Sequence, residues 1–347
     1  MPVSSEFVDV KPRASVTDGL PPLAGGGSRA EGRSMKAISY SRYGGPEVLE
    51  FGDRPEPKVG PDSVLVKVRA AAVNPVDWKC QAGHLDGMLD AVFPVVPGWD
   101  VSGVVVQPGP AVTEFTVGDE VMGYVREDFL CRGTFAEYVA APVRTLARKP
   151  RTMSFEEAAG LPLVGLTAYQ VLRALEVRAG ETVLVHAAAG GVGAMAVQLA
   201  RHTGARVIGA VRPGRDEGLE FVRSLGAEAA VYGDTFPQQV RSLAPDGVDA
   251  AFDTIGGPFL KGTPELLAHE GRLASISDGE VVSLGGRYCW VRPDAADLAA
   301  LAELAEQGVI TVPVAKTFPL EEAAEAQRAN AIGGLHGKVV VTVEWRD

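Results

Sequence analysis

The pattern of hydrophobic and polar positions changes rhythm twice along this chain. Up to residue 34 no helical or strand period is present. Pro21-Pro22 and Gly25-Gly26-Gly27 stand among scattered charges, which reads as a flexible extension. Met35 is either a natural start or the first ordered residue after an unstructured leader. From there to about residue 150 short apolar runs recur, and Met35–Tyr40, Val64–Arg69, Val101–Val106 and Phe135–Val139 are expected strands. Gly44-Gly45-Pro46, Pro97-Gly98 and Pro108-Gly109-Pro110 punctuate them, as the turns of a small barrel or distorted sandwich would. Near residue 153 strands and helices begin to alternate. Ser154–Glu157 spells a capping box ahead of an apolar helix. Thr182–His186 is an expected strand, residues 191–203 a helix, Ala205–Val211 a strand, and residues 215–225 a helix stopped by Gly226. Val248–Asp253 and Gly271–Ile276 add two strands. The alternation predicts a parallel sheet with right-handed crossovers. Lys338–Glu344 is a last strand, free to return to the first region. The expected fold class is α/β: a doubly wound parallel sheet plus a β-rich domain.

The most informative segment is Val183–Ala196, VLVHAAAGGVGAMA, an apolar strand that runs into a glycine-rich turn and then a helix. It reads as Ala188-x-Gly190-x-x-Gly193 or as Gly191-x-Gly193-x-x-Ala196. In either register small residues let backbone approach a pyrophosphate, and the helix start offers unpaired N–H groups and partial positive charge. Ala189, Gly190, Gly191, Val192 and Gly193 are therefore expected cofactor contacts. An acid at the end of the next strand would hold the ribose 2′-hydroxyl of NAD. Here that place holds Arg212 and Arg215, two guanidiniums suited to a 2′-phosphate, with Asp216 as the one contrary sign. NADPH is the expected cofactor. Ser275 and Ser277 follow the fifth strand, where open sheets bind ligands.

Composition narrows the class. Hydrophobic residues at 46% and charged residues at 22% describe a globular chain. A net charge of −11 argues against nucleic acid or an anionic membrane as the main partner. No run approaches the roughly 18 apolar residues of a membrane helix. Three cysteines in 347 residues are no disulfide framework, and a reducing, cytoplasmic setting is expected.

Several further motifs stand in order: Asn74-Pro-Val-Asp77, Pro97–Gly103 (PGWDVSG), Val117–Gly123 (VGDEVMG), Gly133–Glu137 (GTFAE), Leu161–Ala168 (LPLVGLTA) and His336–Val340 (HGKVV). With the glycine-rich turn they make the chain, from Met35 onward, resemble the medium-chain dehydrogenase/reductases, and among them the zinc-free quinone oxidoreductases. The resemblance implies a GroES-like catalytic domain over residues 35–152 and 312–347, a Rossmann domain over residues 153–311, an active site between them, NADPH as hydride donor, and a homodimer. It also places Tyr232 beside the adenosine phosphate, with an ordinary edge-strand tyrosine as the alternative, and turns Thr167 toward the cofactor.

No metal is expected. Cys80, Cys131 and Cys289 are too dispersed for a four-cysteine site. Asn74 stands where zinc relatives carry their first cysteine, and Gly98-Trp99-Asp100 where they carry Gly-His-Glu. Without a Lewis acid an unactivated ketone is a poor acceptor, whereas a quinone or an α,β-unsaturated carbonyl spreads charge onto a distant oxygen that a few donors can stabilise. By the resemblance Asn74 bonds the nicotinamide ribose or the substrate, and Asp77 orients its loop; an Asn-Pro turn is the plain alternative. Lys79 and Tyr124 are candidate catalytic groups, each with a structural alternative. His84 is a substitute for a tyrosine proton donor that relatives carry nearby. An enoyl-thioester reductase and a non-catalytic NADPH-binding protein, its cleft narrowed by Trp78, Trp99 and Trp290, remain as alternative readings.

Overall fold

The computed structural model of the chain describes residues 33–214 and 216–345. The expected extension over residues 1–34 thus falls almost wholly outside the described residues, as does Arg215.

Two sheets organise the described chain. One is built around Ser63–Val73, which pairs antiparallel with Asp100–Pro108 on one side and, on the other, with Tyr138–Pro142 along its first half and Lys338–Thr342 along its second. Val314–Pro319 extends it beyond Lys338–Thr342, and Glu120–Tyr124 and Leu146–Arg148 extend it beyond Asp100–Pro108. Residues from both ends of the chain therefore share one sheet. Ser63–Val73 runs past the expected Arg69 because Ala70, Ala71, Ala72 and Val73 are all fully buried, so polar alternation ceases while the strand continues. Gly103 sits where a Cβ would lie 2.2 Å from the Lys67 carbonyl oxygen, which allows the two central strands their close crossing. The expected strand at Phe135–Val139 is corrected to Tyr138–Pro142. Phe135 and Ala136 are instead fully buried in the approach to it, with Ala136 bridged to Ala37.

The second sheet is parallel throughout, in the order Glu228–Val231, Arg206–Val211, Thr182–Val185, Val248–Asp253, Leu267–Ser275, Arg287–Tyr288. This is the 3-2-1-4-5-6 order of the Rossmann fold, with its switch point between Thr182–Val185 and Val248–Asp253. The helices Gly191–His202 and Asp216–Ser224 form where the sequence places them. The strand expected from Gly271 begins earlier, at Leu267, because an irregularity between Val248 and Ala250 lets it pair twice with its neighbour. The capping box forms as well. Ser154 Oγ accepts from the Glu157 N–H at 3.2 Å, and Glu157 Oε2 accepts from the Ser154 N–H at 2.8 Å.

The glycine-rich turn is held from behind. Ala187, at φ +47°, has a backbone that side-chain-bearing residues adopt reluctantly. Its N–H donates to the Tyr232 hydroxyl at 3.0 Å, and that hydroxyl stands 3.0 Å from His186 Nδ1. On the other ring nitrogen, His186 Nε2 lies 3.0 Å from Thr263 Oγ1, which itself donates to the Phe259 carbonyl at 2.7 Å. The threonine proton is thus committed, so His186 carries its hydrogen on Nε2 and accepts at Nδ1 from Tyr232. Burial pushes the His186 pKa below its ordinary value, which keeps the ring neutral and suits this one-way chain of donors.

Tyr232→Phe removes the acceptor for the Ala187 N–H and the donor for His186. It should lower the unfolding free energy by about 1–3 kcal/mol, read by urea denaturation; wild-type stability in this variant would show that the turn does not depend on the network.

Candidate active site

A cleft of about 530 Å³ opens at the carboxyl ends of the parallel strands and is walled on its other side by residues of the first sheet and its loops. Ala187, Ala189, Gly190, Gly191, Val192, Gly193 and Arg212 line it from the nucleotide side. Gly193 has no substitute: a Cβ there would lie 2.3 Å from the Ala187 carbonyl oxygen and 2.7 Å from Ala188 Cα. A Cβ on Gly191 would lie 3.1 Å from Val164 and 3.4 Å from the Lys338 stem. The turn is therefore pressed against its own strand, and the helix Gly191–His202 begins at the cleft with first-turn N–H groups that lack intrahelical acceptors. These N–H groups and the helix dipole make an anion cradle. Arg212 is exposed at the end of the adjacent strand, and Asp216 is absent from the cleft wall.

On the opposite wall a buried polar cluster joins Asn74, Asp77, Asp100 and Lys338, none more than 8% exposed. The Asn74 N–H donates to Asp77 Oδ2 at 2.7 Å and so starts the helix Pro75–Gln81. Asn74 Nδ2 donates to Asp100 Oδ2 at 2.9 Å, while its Oδ1 accepts from the Lys338 ammonium. That ammonium also donates to the Val73 carbonyl at 3.3 Å and lies 4.0 Å from Asp100 Oδ2. Asp100 Oδ1 accepts from the Leu163 N–H at 2.9 Å. Burial pushes Asp77 up to about 8 and Asp100 up to about 6; Lys338 and the hydrogen bonds to Asn74 and Leu163 oppose the rise at Asp100. Burial pushes Lys338 down, and the two carboxylates oppose it. Asp77 Oδ1 has no partner, which leaves room for the proton that this environment favours.

Of the residues singled out in the sequence, Asn74, Lys79, Tyr124, Thr167 and Ser277 line the cleft. Lys79 is half-buried, its ammonium 5.7 Å above the Trp78 ring. Tyr124 is 1% exposed and meets Trp99 edge to face at 6.0 Å; burial raises its phenol above the ordinary value, so the group is a neutral donor. The Thr167 hydroxyl donates to the Leu163 carbonyl at 2.6 Å and that of Ser277 to the Thr254 carbonyl at 2.7 Å. Asp77 stands behind the wall, buried beneath Asn74. Two expectations are corrected in place. Ser275 is fully buried and its hydroxyl donates to Asp253 Oδ2 at 2.6 Å, because the last residue of its strand faces the sheet interior. Tyr232 does not line the cleft either; its hydroxyl is drawn inward by His186 and Ala187. His84 is exposed and lies outside the cleft wall. Arg215 lies outside the described residues.

Sequence reasoning gave no role to Asp100, Lys338 or His336, although all three lie in motifs it quoted. It also gave none to Tyr288, Cys289 and Val291, which with Trp99 and Trp290 make the substrate end of the cleft largely apolar. The tryptophans do not fill the space. Trp78 is not among the lining residues, and its indole N–H donates to Asn330 Oδ1 at 3.2 Å.

The residues at this wall do not fit a catalytic dication. The Asn74 amide is engaged on both atoms, and an ammonium already neutralises Asp100. A second positive ion there would meet repulsion and no thiolate or imidazole. Among the described residues, no group of three or more His, Cys, Asp or Glu is arranged to hold a metal.

Comparison with known proteins agrees with this geometry. Residues 60–151 match the alcohol dehydrogenase GroES-like domain family and residues 191–290 the zinc-binding dehydrogenase family. The chain is 38% identical over 317 residues to an NADPH-dependent alkenal/one oxidoreductase of Arabidopsis thaliana, covering 89% of this chain and 80% of that one. It is 30% identical over 331 residues to the quinone oxidoreductase of Mus musculus, covering 88% and 97%. The solved structure of the quinone oxidoreductase from Coxiella burnetii superposes with a TM-score of 0.80 at 32% identity, over 90% of this chain and 100% of that one. The chain belongs to the quinone oxidoreductase family of the medium-chain dehydrogenase/reductases.

Proposed function

We propose that this protein reduces quinones or α,β-unsaturated carbonyls with NADPH and without a metal. The observation that carries the reading is one cleft with an anion cradle at one end and, at the other, apolar walls holding two hydrogen-bond donors, Tyr124 and Lys79. The turn residues Ala189 to Gly193 would hold the pyrophosphate and Arg212 the 2′-phosphate, with Arg215, outside the described residues, as a second guanidinium three positions on in the sequence. Thr167, Asn74 and Ser277 stand along the remaining length. When bound, NADPH supplies the hydride.

The chain's own groups do the rest. Reduction at the β-carbon of an enone moves the π electrons onto the carbonyl oxygen, where the Tyr124 O–H and the Lys79 ammonium stabilise the charge. Lys79 is half-buried at the cleft wall and can hand on its proton and recover one from water. Asn74 cannot turn freely, because Asp100 and Lys338 hold its amide from both ends, so its place in the wall is fixed before any ligand arrives. Asp77 orients the loop through the Asn74 N–H. Trp99, Trp290 and Val291 exclude water from the acceptor and favour an apolar one.

Residues 35–152 with 312–347 form, in this reading, the catalytic domain, and residues 153–311 the nucleotide-binding domain. The short exposed edge strand Arg287–Tyr288 supports a homodimer formed by pairing of that edge. No helix among the described residues is long and apolar enough to cross a membrane. The unpaired thiols of Cys80, Cys131 and Cys289 support a reducing, cytoplasmic setting.

Purified protein should oxidise NADPH steadily with a 1,4-quinone or an alkenone, unaffected by chelators; NADPH binding without turnover on a broad acceptor panel would remove the activity. Arg212→Ala should raise KM for NADPH about tenfold or more while leaving NADH unchanged, since a charge-assisted phosphate contact contributes about 1.5–3 kcal/mol. The raised carboxyl at Asp77 has a second consequence. The folded state holds its proton up to about pH 8 while the unfolded chain releases it near pH 4. Stability from this group is therefore full below pH 4 and declines as pH rises toward 8. Asp77→Asn should flatten the pH dependence of unfolding across that window, and an unchanged slope by chemical denaturation would refute the assignment.

A further inference from the structure

Among the described residues, buried polar groups are mostly paired, and His336 is an exception on the wall of the cleft. Both of its ring nitrogens are shut off from solvent and have no hydrogen-bond partner. His186, the other enclosed histidine, has partners on both. An imidazole with no partner at either nitrogen is costly to enclose, because each polar atom forgoes water and gains nothing in return.

Its surroundings indicate what would satisfy it. His336 stands in the loop that leads into Lys338–Thr342, and so belongs to the catalytic side. Yet its ring stacks on Phe221 of the nucleotide-side helix Asp216–Ser224, with centroids 5.7 Å apart and planes at 29°. Gly218 of the same helix makes room for it. A Cβ there would lie 3.2 Å from His336 Cε1 and 3.9 Å from both His336 Nε2 and Ala189 Cβ. The ring is thus wedged between the start of that helix and the glycine-rich turn, on a cleft wall that also includes Arg212. Of its neighbours, Gly218 and Ala189 line the cleft beside Arg212, in the region that the cofactor reading gives to phosphates. A phosphate oxygen only accepts hydrogen bonds, and an unpaired ring N–H is a donor without an acceptor.

Resting on that reading, we propose that His336 is a phosphate-binding residue. It reaches across the cleft from the catalytic side to donate to a phosphate on the adenosine half of NADPH. The two possible recipients are the 2′-phosphate and the pyrophosphate. In either case the contact ties the catalytic sheet to the loaded nucleotide, so that binding would hold the two walls together.

Three variants separate this role from packing. His336→Phe keeps the ring on Phe221 and removes both nitrogens, His336→Gln keeps a donor, and His336→Ala removes ring and donor. NADPH affinity is read by fluorescence titration, with 2′,5′-ADP and 5′-ADP as fragments and thermal melting to verify folding. His336→Phe and His336→Ala should bind NADPH roughly tenfold more weakly, and His336→Gln should recover part of the loss. A loss confined to 2′,5′-ADP assigns the 2′-phosphate, and an equal loss with 5′-ADP assigns the pyrophosphate. The ring ¹⁵N resonances of wild-type His336 should also shift on adding the fragment it binds. The proposal is overturned if His336→Phe binds NADPH within twofold of wild type. If wild-type protein binds neither NADPH nor the fragments, the nucleotide reading itself falls and takes this one with it.

Discussion

A single ammonium shut inside the protein decides how the catalytic wall is built. Lys338 is buried, so its charge must be answered at short range, and three groups from two parts of the chain do so. The Val73 carbonyl lies at the end of the central strand, the Asn74 amide begins the following helix, and the Asp100 carboxylate begins a neighbouring strand. Asp100 in turn fixes Leu163 at the start of the helix that packs against the nucleotide-binding helix. Remove the positive charge and the enclosed Asp100 carboxylate would have no counter-ion, with the Asp77 carboxyl buried nearby. The arrangement gives the wall one geometry rather than several, with its charges neutralised among its own residues.

The nucleotide side obeys a steric rule instead. Its turn is compressed until only hydrogen fits at Gly193, and the strain at Ala187 is offset by the hydroxyl of Tyr232. The two devices meet where the Lys338 stem passes Gly191 at near-contact distance. A ligand in the cleft therefore lies between a wall ordered by charge and a wall ordered by the absence of side chains.

Much of this was legible in the sequence, for identifiable reasons. The parallel sheet announces itself through apolar strands of nearly full burial, and the glycine-rich turn through the residue types its geometry demands. Ser154 and Glu157 carry their cap in a four-residue spacing. What was not legible depends on meetings between distant segments. Asp100 and Lys338 are ordinary charged residues until the fold encloses them together. Tyr232 follows its strand at the position expected of a phosphate contact, but His186 and the Ala187 N–H turn its hydroxyl inward. The Phe135–Val139 pattern has the composition of a strand, but full burial of Phe135 is also what a packed connector shows. Burial by itself does not distinguish the two.

The sheet that takes strands from both ends of the polypeptide has a consequence for how the molecule is made. A ribosome releases Ser63–Val73 well before Lys338–Thr342, with the whole parallel sheet between them. The nucleotide-binding half is complete before the first half can gain its closing strand and its ammonium. Until then Asp100 lacks its counter-ion. The wall that faces the acceptor therefore closes only after the chain of the parallel sheet has been made.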